Sequence, residues 1–464
     1  MIPLTRITCP KQTVRHKLFA ADLTSPAAIV LAAIINLLSA SNGEAAPAIQ
    51  SAIPKPEIPA KVFNIVDHGA KADRITNNSH AIQKAIDAAA AAGGGRVVIP
   101  AGEFLSGPIT LRDKIDLHLE KGAKVLMSTR FEDFPVAAGN RRESFIHGRE
   151  LSDIRISGQG IIDGQGEVWW KAFLLVKGSD DTGPRRPQLI YIEKSERIEI
   201  DGITTVNPPN THCSLQRSKD ITINNVTMTA PDDSPNTDAI NLSIVENVVI
   251  TGSSISTGDD NIVLLGSGPN DPANPVVKNV TIRDCKLGFG HGLSIGSYTS
   301  GGVQNVLAEN ISFDGTTSGI RMKAWRDRGG LVKNITYKNV TMKNVRFPIF
   351  IQSYYPKPPN GPSEDLPNNG QTKLPEWTDV LIEDVTITDC RNSINIWGLP
   401  DKKIEGITLR NVKASAQAGA IVFHADATFS NVEITPASGP ALQIHDAKVT
   451  GMEGVAFEGA YKAK

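Results

Sequence analysis

The sequence predicts an all-β chain folded as a right-handed parallel β-helix, a single-stranded solenoid with a short N-terminal capping helix. Three observations point there. A short strand motif recurs from Asp153 to Leu409, Asn or Asp opens most of its copies, and aromatic residues make up only 5% of the chain while Gly reaches 40. Such a composition suits strands and tight turns better than a helical bundle.

The repeating unit is Asn/Asp-apolar-x-apolar, then two polar or glycine positions, then another apolar residue. Examples are Asp153-Ile154-Arg155-Ile156, Asp220-Ile221-Thr222-Ile223, Asn247-Val248-Val249-Ile250 and Asn279-Val280-Thr281-Ile282. The last residues of the copies fall at 156, 200, 223, 250, 282, 308, 337, 382 and 409, in steps of 44, 23, 27, 32, 26, 29, 45 and 27. The two long steps imply either one coil carrying a long loop or a double coil. Helical repeats lack this strand pattern, leucine-rich repeats need a Leu lattice that is absent, and propeller blades need four strands per unit. In a parallel β-helix each turn adds short strands, apolar side chains stack inward, and Asn at the corners ladders from coil to coil.

Along the chain, Arg6, Lys11, Arg15 and Lys17 precede a twelve-residue stretch, Ala27 to Leu38, that is apolar except for Asn36. It is short for a membrane span, and Gly43-Glu44-Ala45 offers a small-x-small cleavage site. Residues 1–45 therefore read as an export signal, 46–61 as a Pro/Ala-rich linker, and 62–464 as the β-helix domain. A secreted or periplasmic location is expected, with no membrane attachment in the mature form. Residues 62–76 open as a strand, and a helix is expected from Ser79 to Ala92, capped by Asn77 or Asn78. Ala81, Ile82, Ala85, Ile86 and Ala89 supply its apolar stripe, and Gly93-Gly94-Gly95 ends it. Such a helix would plug the first coil, whose strand edges are otherwise open. Residues 356–376 break the repeat as a Pro/Gly/Asn-rich surface loop.

The 48 Lys+Arg against 49 Asp+Glu leave a formal charge of −1, which gives no bulk attraction for nucleic acid or an anionic membrane. An anionic ligand would need a local basic patch. Of four cysteines, Cys9 lies in the leader, and Cys213, Cys285 and Cys390 are far apart with no Cys-x-x-Cys, so a zinc site is not expected and at most one disulfide is possible. A monomer is expected.

Four constellations interrupt otherwise smooth strands: Asn236-Thr237-Asp238, Gly258-Asp259-Asp260-Asn261, Gly290-His291-Gly292 and Arg321-Met322-Lys323. Singly each is ordinary: a solvated turn, a bend, a wet strand face. Their spacing is not. Asp238 to Asp259 is 21 residues, Asp260 to His291 is 31 and His291 to Arg321 is 30, each about one coil. Residues one coil apart stack about 4.8 Å from each other, so three carboxylates, one imidazole and two cations are expected in one column. Crowded carboxylates raise the pKa of at least one member, and glycoside hydrolysis needs one protonated acid and one ionised base. Arg321 and Lys323 point the same way from a strand and suit a sugar carboxylate. Calcium is the other chemistry such acids serve, but two cations in the column would oppose a divalent ion, and no metal is expected.

These motifs, with FNIVDHGAKAD from Phe63, GGRVVIPAGEFLSGPITL, DGQGEVWW and RRPQLIYI, resemble family 28 glycoside hydrolases, the polygalacturonases. The resemblance runs from Phe63 to beyond Lys413. It implies inverting hydrolysis of α-1,4-galacturonosyl linkages in the pectic polysaccharide polygalacturonate, with no cofactor. Asp259 would be the general acid, and Asp238 and Asp260 would activate water. His291 would hold the acid's ionisation and position. Asn236, Arg321, Lys323 and Tyr354 would contact the substrate. Met322 stands where the family usually has Ile, and Ala239-Ile240-Asn241 where Gly-Ile-Asp is common. Rhamnogalacturonan or xylogalacturonan hydrolysis is the nearest alternative; a pectate lyase or a non-catalytic polysaccharide-binding solenoid would share the architecture. Arg185, Arg186 and the 356–376 loop are candidate groove walls.

Overall fold

A computed structural model describes residues 53–180, 183–268, 270–271, 275–364, 368 and 370–451. The expected export signal and residues 46–52 of the expected linker lie outside them. Residues 53–61 run without helix or strand, and the Glu57 N–H donates to Asp153 Oδ1 at 3.0 Å. Among the described residues no helix is long and apolar enough to cross a membrane.

The chain winds as a parallel β-helix. Two large parallel sheets, of 20 and 12 strands among the described residues, run along the solenoid, and one small antiparallel hairpin joins Val136–Ala137 to Arg141–Arg142. The repeat alignment is the coil register: Ile156 pairs with Ile200, then Ile223, Ile250, Ile282, Ala308, Tyr337, Ile382 and Leu409. The long steps are single coils. One carries a helix, Glu167–Val176, and the other the loop that follows Gln352. The stacked side chains are buried to within 1% exposure and form one continuous core. Each fully buried Ile contributes about 1.5–3 kcal/mol.

Corners explain the Asn and Asp that open the motif. Asp220, Asn247, Asn279, Asn305 and Asn334 all have φ between 56 and 59°, the left-handed region that turns a strand sharply. Short carboxamides tolerate that region best. Each amide donates to the preceding coil: Asn247 to Asp220 at 2.9 Å, Asn279 to Asn247 at 3.0 Å, Asn305 to Asn279 at 2.9 Å and Asn334 to Asn305 at 2.7 Å.

The capping helix α1 spans Ser79–Ala91, and its buried residues are the expected Ala81, Ile82, Ala85, Ile86 and Ala89. It packs on the strands at 62–64, 95–99 and 109–110, over the first coil. Asn78 is the cap by position, but its side chain binds Lys71, Thr76 and Leu105 backbone groups instead. The Asn77 carboxamide accepts the Ser79 N–H at 3.0 Å. Cys213, Cys285 and Cys390 are free and buried, so the one disulfide the sequence allowed is not formed. Burial pushes the Cys213 thiol up to about 12 and Cys285 to about 11.

Six consecutive strands of the 12-stranded sheet position the site: β1 (Ile240–Ser243), β2 (Ile262–Leu265), β3 (Leu293–Ile295), β4 (Ser318–Lys323), β5 (Phe347–Gln352) and β6 (Ile394–Trp397). Ile240, Ile262, Leu293, Ile320, Ile349 and Ile394 are in register and face the core. Their alternating neighbours face outward.

Candidate active site

Asp238, Asp260 and His291 each lie two residues before an in-register core residue: Ile240, Ile262 and Leu293. They therefore stack on consecutive coils at the outer edge of the sheet. Asp259 is one residue earlier and turns toward His291, whose Nδ1 is 2.9 Å from Asp259 Oδ1 and 4.0 Å from Asp260 Oδ1. The His291 N–H also donates to the Asp259 carbonyl at 2.8 Å.

Arg321 and Lys323 are not in this column. Leu293 pairs with Ile320, a coil of 27 residues, so the 30-residue spacing carries Arg321 three positions further along its strand. Ser318 holds the stacked position. The long cations reach back instead: Lys323 Nζ lies 2.8 Å from Asp260 Oδ2 and Arg321 Nη1 3.0 Å from Asp260 Oδ1. Ser294 Oγ donates to the same Oδ1 at 2.7 Å.

This geometry splits the carboxyls. Burial, then the charges of Asp259 and Asp260, push Asp238 well above the usual carboxylate range. Its Oδ2 accepts a long bond from Asn241 Nδ2 at 3.3 Å. Burial also acts to raise Asp260, but Lys323 and Arg321 outweigh it and hold that carboxyl below the usual range. The upward shift thus falls on Asp238.

Asn236 is exposed and in the left-handed region at φ 55°. Its Oδ1 accepts from Arg186 Nη2 at 2.8 Å, and its Nδ2 lies 3.5 Å from Asp259 Oδ2. Arg186 is buried, pinned by the carbonyls of Pro209 and Pro235 at 2.7 and 2.8 Å, and stacked 4.1 Å over Phe173. Burial pulls its guanidinium down to about 10 against the pull of Asp238. It is a buried strut beside the acids, whereas Arg185 is exposed.

Tyr354 is buried rather than presented at the site surface. It is 1% exposed, its ring 5.3 Å from Trp325 and 5.9 Å from Trp397, and Leu374 from the long loop packs over the same cluster. The half-buried neighbour Tyr355 faces the site, with Lys323 Nζ 5.6 Å from its ring.

The glycines and small polar residues of the motifs build the frame. A Cβ on Gly258 would lie 2.1 Å from the Ser234 carbonyl, and one on Gly292 2.0 Å from the Ser318 carbonyl. Thr237 Oγ1 accepts the Gly258 N–H at 2.9 Å, which ties the two aspartate turns together. Asn261 accepts the Gly292 N–H at 2.8 Å and donates to Phe289 at 2.7 Å, stapling the glycine-flanked turn of His291. Sequence reasoning assigned no role to Ser294, Asn261 or Thr237. Ser294 pairs with Arg321 in the sheet, so coil alignment alone would have placed it beside the acids.

Asp259, Asp260 and His291 are the acid–imidazole group whose ligand atoms, within 4.8 Å of one another, could hold a metal. Asp260 already meets two cations and a hydroxyl, an arrangement that works against a further divalent charge.

Two cavities flank the acids along the solenoid. One of about 460 Å³ includes Arg186, Asn210 and Asn236; the other, of about 360 Å³, includes His291, Arg321 and Gln352. A larger hollow of about 740 Å³, bordered by Glu196, Lys219 and Lys278, lies away from the acids. Its charged groups pair among themselves, as in Lys219–Glu196 at 3.0 Å and Lys278–Glu246 at 3.1 Å.

A parallel solenoid with clustered acids, an imidazole and cations between two cavities has the makings of a polysaccharide-cleaving enzyme. The chain belongs to the glycosyl hydrolases family 28, whose model matches residues 91–454. It is therefore a glycoside hydrolase. It is 32% identical over 372 residues to an endo-polygalacturonase of Pectobacterium carotovorum subsp. carotovorum, covering 75% of this chain and 86% of that protein. It is 31% identical over 438 residues to a probable polygalacturonase of Vitis vinifera, covering 87% of each. Its fold matches an exopolygalacturonase from Thermotoga maritima with a TM-score of 0.72 at 21% identity, over 86% of this chain and 94% of that one.

Proposed function

We propose that the chain hydrolyses α-1,4-galacturonosyl linkages of polygalacturonate with inversion. The relatives' names and the four ordered motifs support the substrate. The observation that carries the mechanism is the Asp260 clamp, with Lys323 at 2.8 Å and Arg321 at 3.0 Å. It keeps one carboxylate ionised beside two others.

Asp260 is then the base that accepts a proton from water, because its partners stabilise the charge it must carry at rest. With Asp260 ionised, the proton the reaction needs is held by the rest of the cluster. Asp238 is the site that favours that proton at rest, for the reasons of burial and like charge. Asp259, partly exposed and against His291, is the member that reaches a glycosidic oxygen and delivers the proton. As the proton leaves Asp259, His291 supports the carboxylate that forms. Arg321, beyond its bond to Asp260, has a buried Nε with no hydrogen-bond partner among the described residues.

Removal of a general acid costs about 10²–10⁴ in rate. Asp259→Asn should lower reducing-end release from polygalacturonate by that factor while the melting temperature stays near the native value. An Asp259→Asn protein with native activity would overturn the acid assignment.

A further inference from the structure

The strands that carry the acids also make a floor along the solenoid, and its two ends differ. Asn241 touches Asp238, and Ser294 and Arg321 touch Asp260. These three belong to one column of stacked outward residues. The column continues through Ser214 and Tyr191 on one side and through Phe350, Asn395 and Ile421 on the other. Phe350, Asn395 and Ile421 all stay partly exposed. The other side is covered. Ser214, one coil before Asn241, is fully buried. One coil further, the Arg141 guanidinium lies 5.7 Å over the Tyr191 ring.

Arg141 belongs to the hairpin that joins Val136–Ala137 to Arg141–Arg142, and that hairpin is braced from two directions. The Arg142 N–H donates to the Arg185 carbonyl at 3.1 Å, and the Arg185 N–H to the Asn140 carbonyl at 2.9 Å. Arg142 Nη1 donates to the Phe131 and Phe134 carbonyls at 2.8 and 3.0 Å. The Phe131 ring in turn lies 4.2 Å from Trp169 of the helix Glu167–Val176. Hairpin, Arg185 segment and helix thus form one wall. The cavity of about 460 Å³ is bordered by that wall through Phe131, Arg142, Trp169 and Arg185, and by Asn236 on the side of the acids.

We propose that the groove is blind on the Tyr191 side, so that the enzyme engages chain ends and releases short products. The proposal rests on the galacturonan reading and adds the mode of cutting to it. Tyr191 lies two coils from Asn241, about 10 Å. A 1,4-linked hexose advances a chain by about one coil, so about two residues fit between the acids and the wall. A polymer cut internally would have to continue past Arg141, where the floor is covered. The rest of the polymer leaves over the open Phe350 side.

The test is the binding stoichiometry of the Asp259→Asn protein, read by calorimetry against hexagalacturonate and against long polygalacturonate whose chain ends have been counted. A blind groove engages one end of each chain, so a single protein should bind each molecule of either ligand. Several proteins per long chain, rising with its length, would overturn the blind end and leave the substrate reading intact. Absence of binding to both ligands would overturn the galacturonan reading and the proposal with it. Early products of the native protein give a second readout. Mono- and digalacturonate should dominate from the first time points while viscosity falls slowly, and a ladder of longer oligomers would contradict the wall. Arg141→Ala/Tyr191→Ala should add longer early products. Unchanged products from that variant at a native melting temperature would also overturn the wall.

Discussion

Asp238 and Asp260 occupy equivalent positions on adjacent coils, two residues before Ile240 and Ile262, yet their carboxyls are driven in opposite directions. The difference comes from partners. Asp260 has Lys323, Arg321 and Ser294 within 3.0 Å, and Asp238 has one long amide contact. A carboxyl raised in the folded state costs stability as pH rises from its unfolded value, about 3.9, to its folded value. A depressed one contributes stability above the unfolded value and loses it as pH falls through the folded one. Asp238→Asn should therefore raise the melting temperature at pH 7, with the gain shrinking below about pH 4, while activity drops. Asp260→Asn leaves Lys323 buried without its counter-charge and should destabilise the fold by about 3–5 kcal/mol. Thermal melts of both proteins across pH decide this; a lower melting temperature for Asp238→Asn at pH 7 would contradict the like-charge account. Tyr354 shows what residue identity alone hides. The family resemblance put Tyr354 near the sugar, but which of Tyr354 and Tyr355 faces the site depends on Trp325 and Leu374, which are distant in sequence.

Each coil is built from short strands joined by single left-handed residues, and that device was legible because it repeats. The Asp/Asn at 220, 247, 279, 305 and 334 marked the corners, and Ile, Val and Leu at alternate positions marked the inward faces. The capping helix was equally readable from its apolar stripe. The column of the active site was read only in part. Spacing in residues equals spacing in coils only where no residues are added or lost within the turn. From His291 to Arg321 the count exceeds the coil of 27 by three, so the cations sit along the strand rather than in the stack. Gly290 and Gly292 marked an interruption but carried no sign that Asn261 staples it. The ladder carries its own prediction. Asn279→Ala keeps a left-handed corner without an amide, costing about 1–2 kcal/mol for the backbone. It also removes the bonds at 3.0 and 2.9 Å, each worth about 1 kcal/mol. Urea unfolding should report a loss of about 2–4 kcal/mol, and a loss under about 0.5 kcal/mol would show the ladder to be decorative.

At the scale of the molecule, the solenoid converts sequence repetition into proximity. Residues 238, 260 and 291 come from three coils and share one edge because the coils below them are in register from Ile240 to Leu293. The long insertions stay outside that register. The helix Glu167–Val176 contributes Phe173 against Arg186 on one side of the acids, and the loop after Gln352 contributes Leu374 over Tyr354 on the other. The scaffold thus fixes the acids, while inserted segments shape what approaches them. Whether this arrangement performs a single displacement is read most directly from the first product. Proton NMR of polygalacturonate digestion, followed from the earliest time points with chelator present, should show new reducing ends in the β-anomeric form that later equilibrate. New ends in the α form, or an unsaturated terminus that chelator abolishes, would contradict the account.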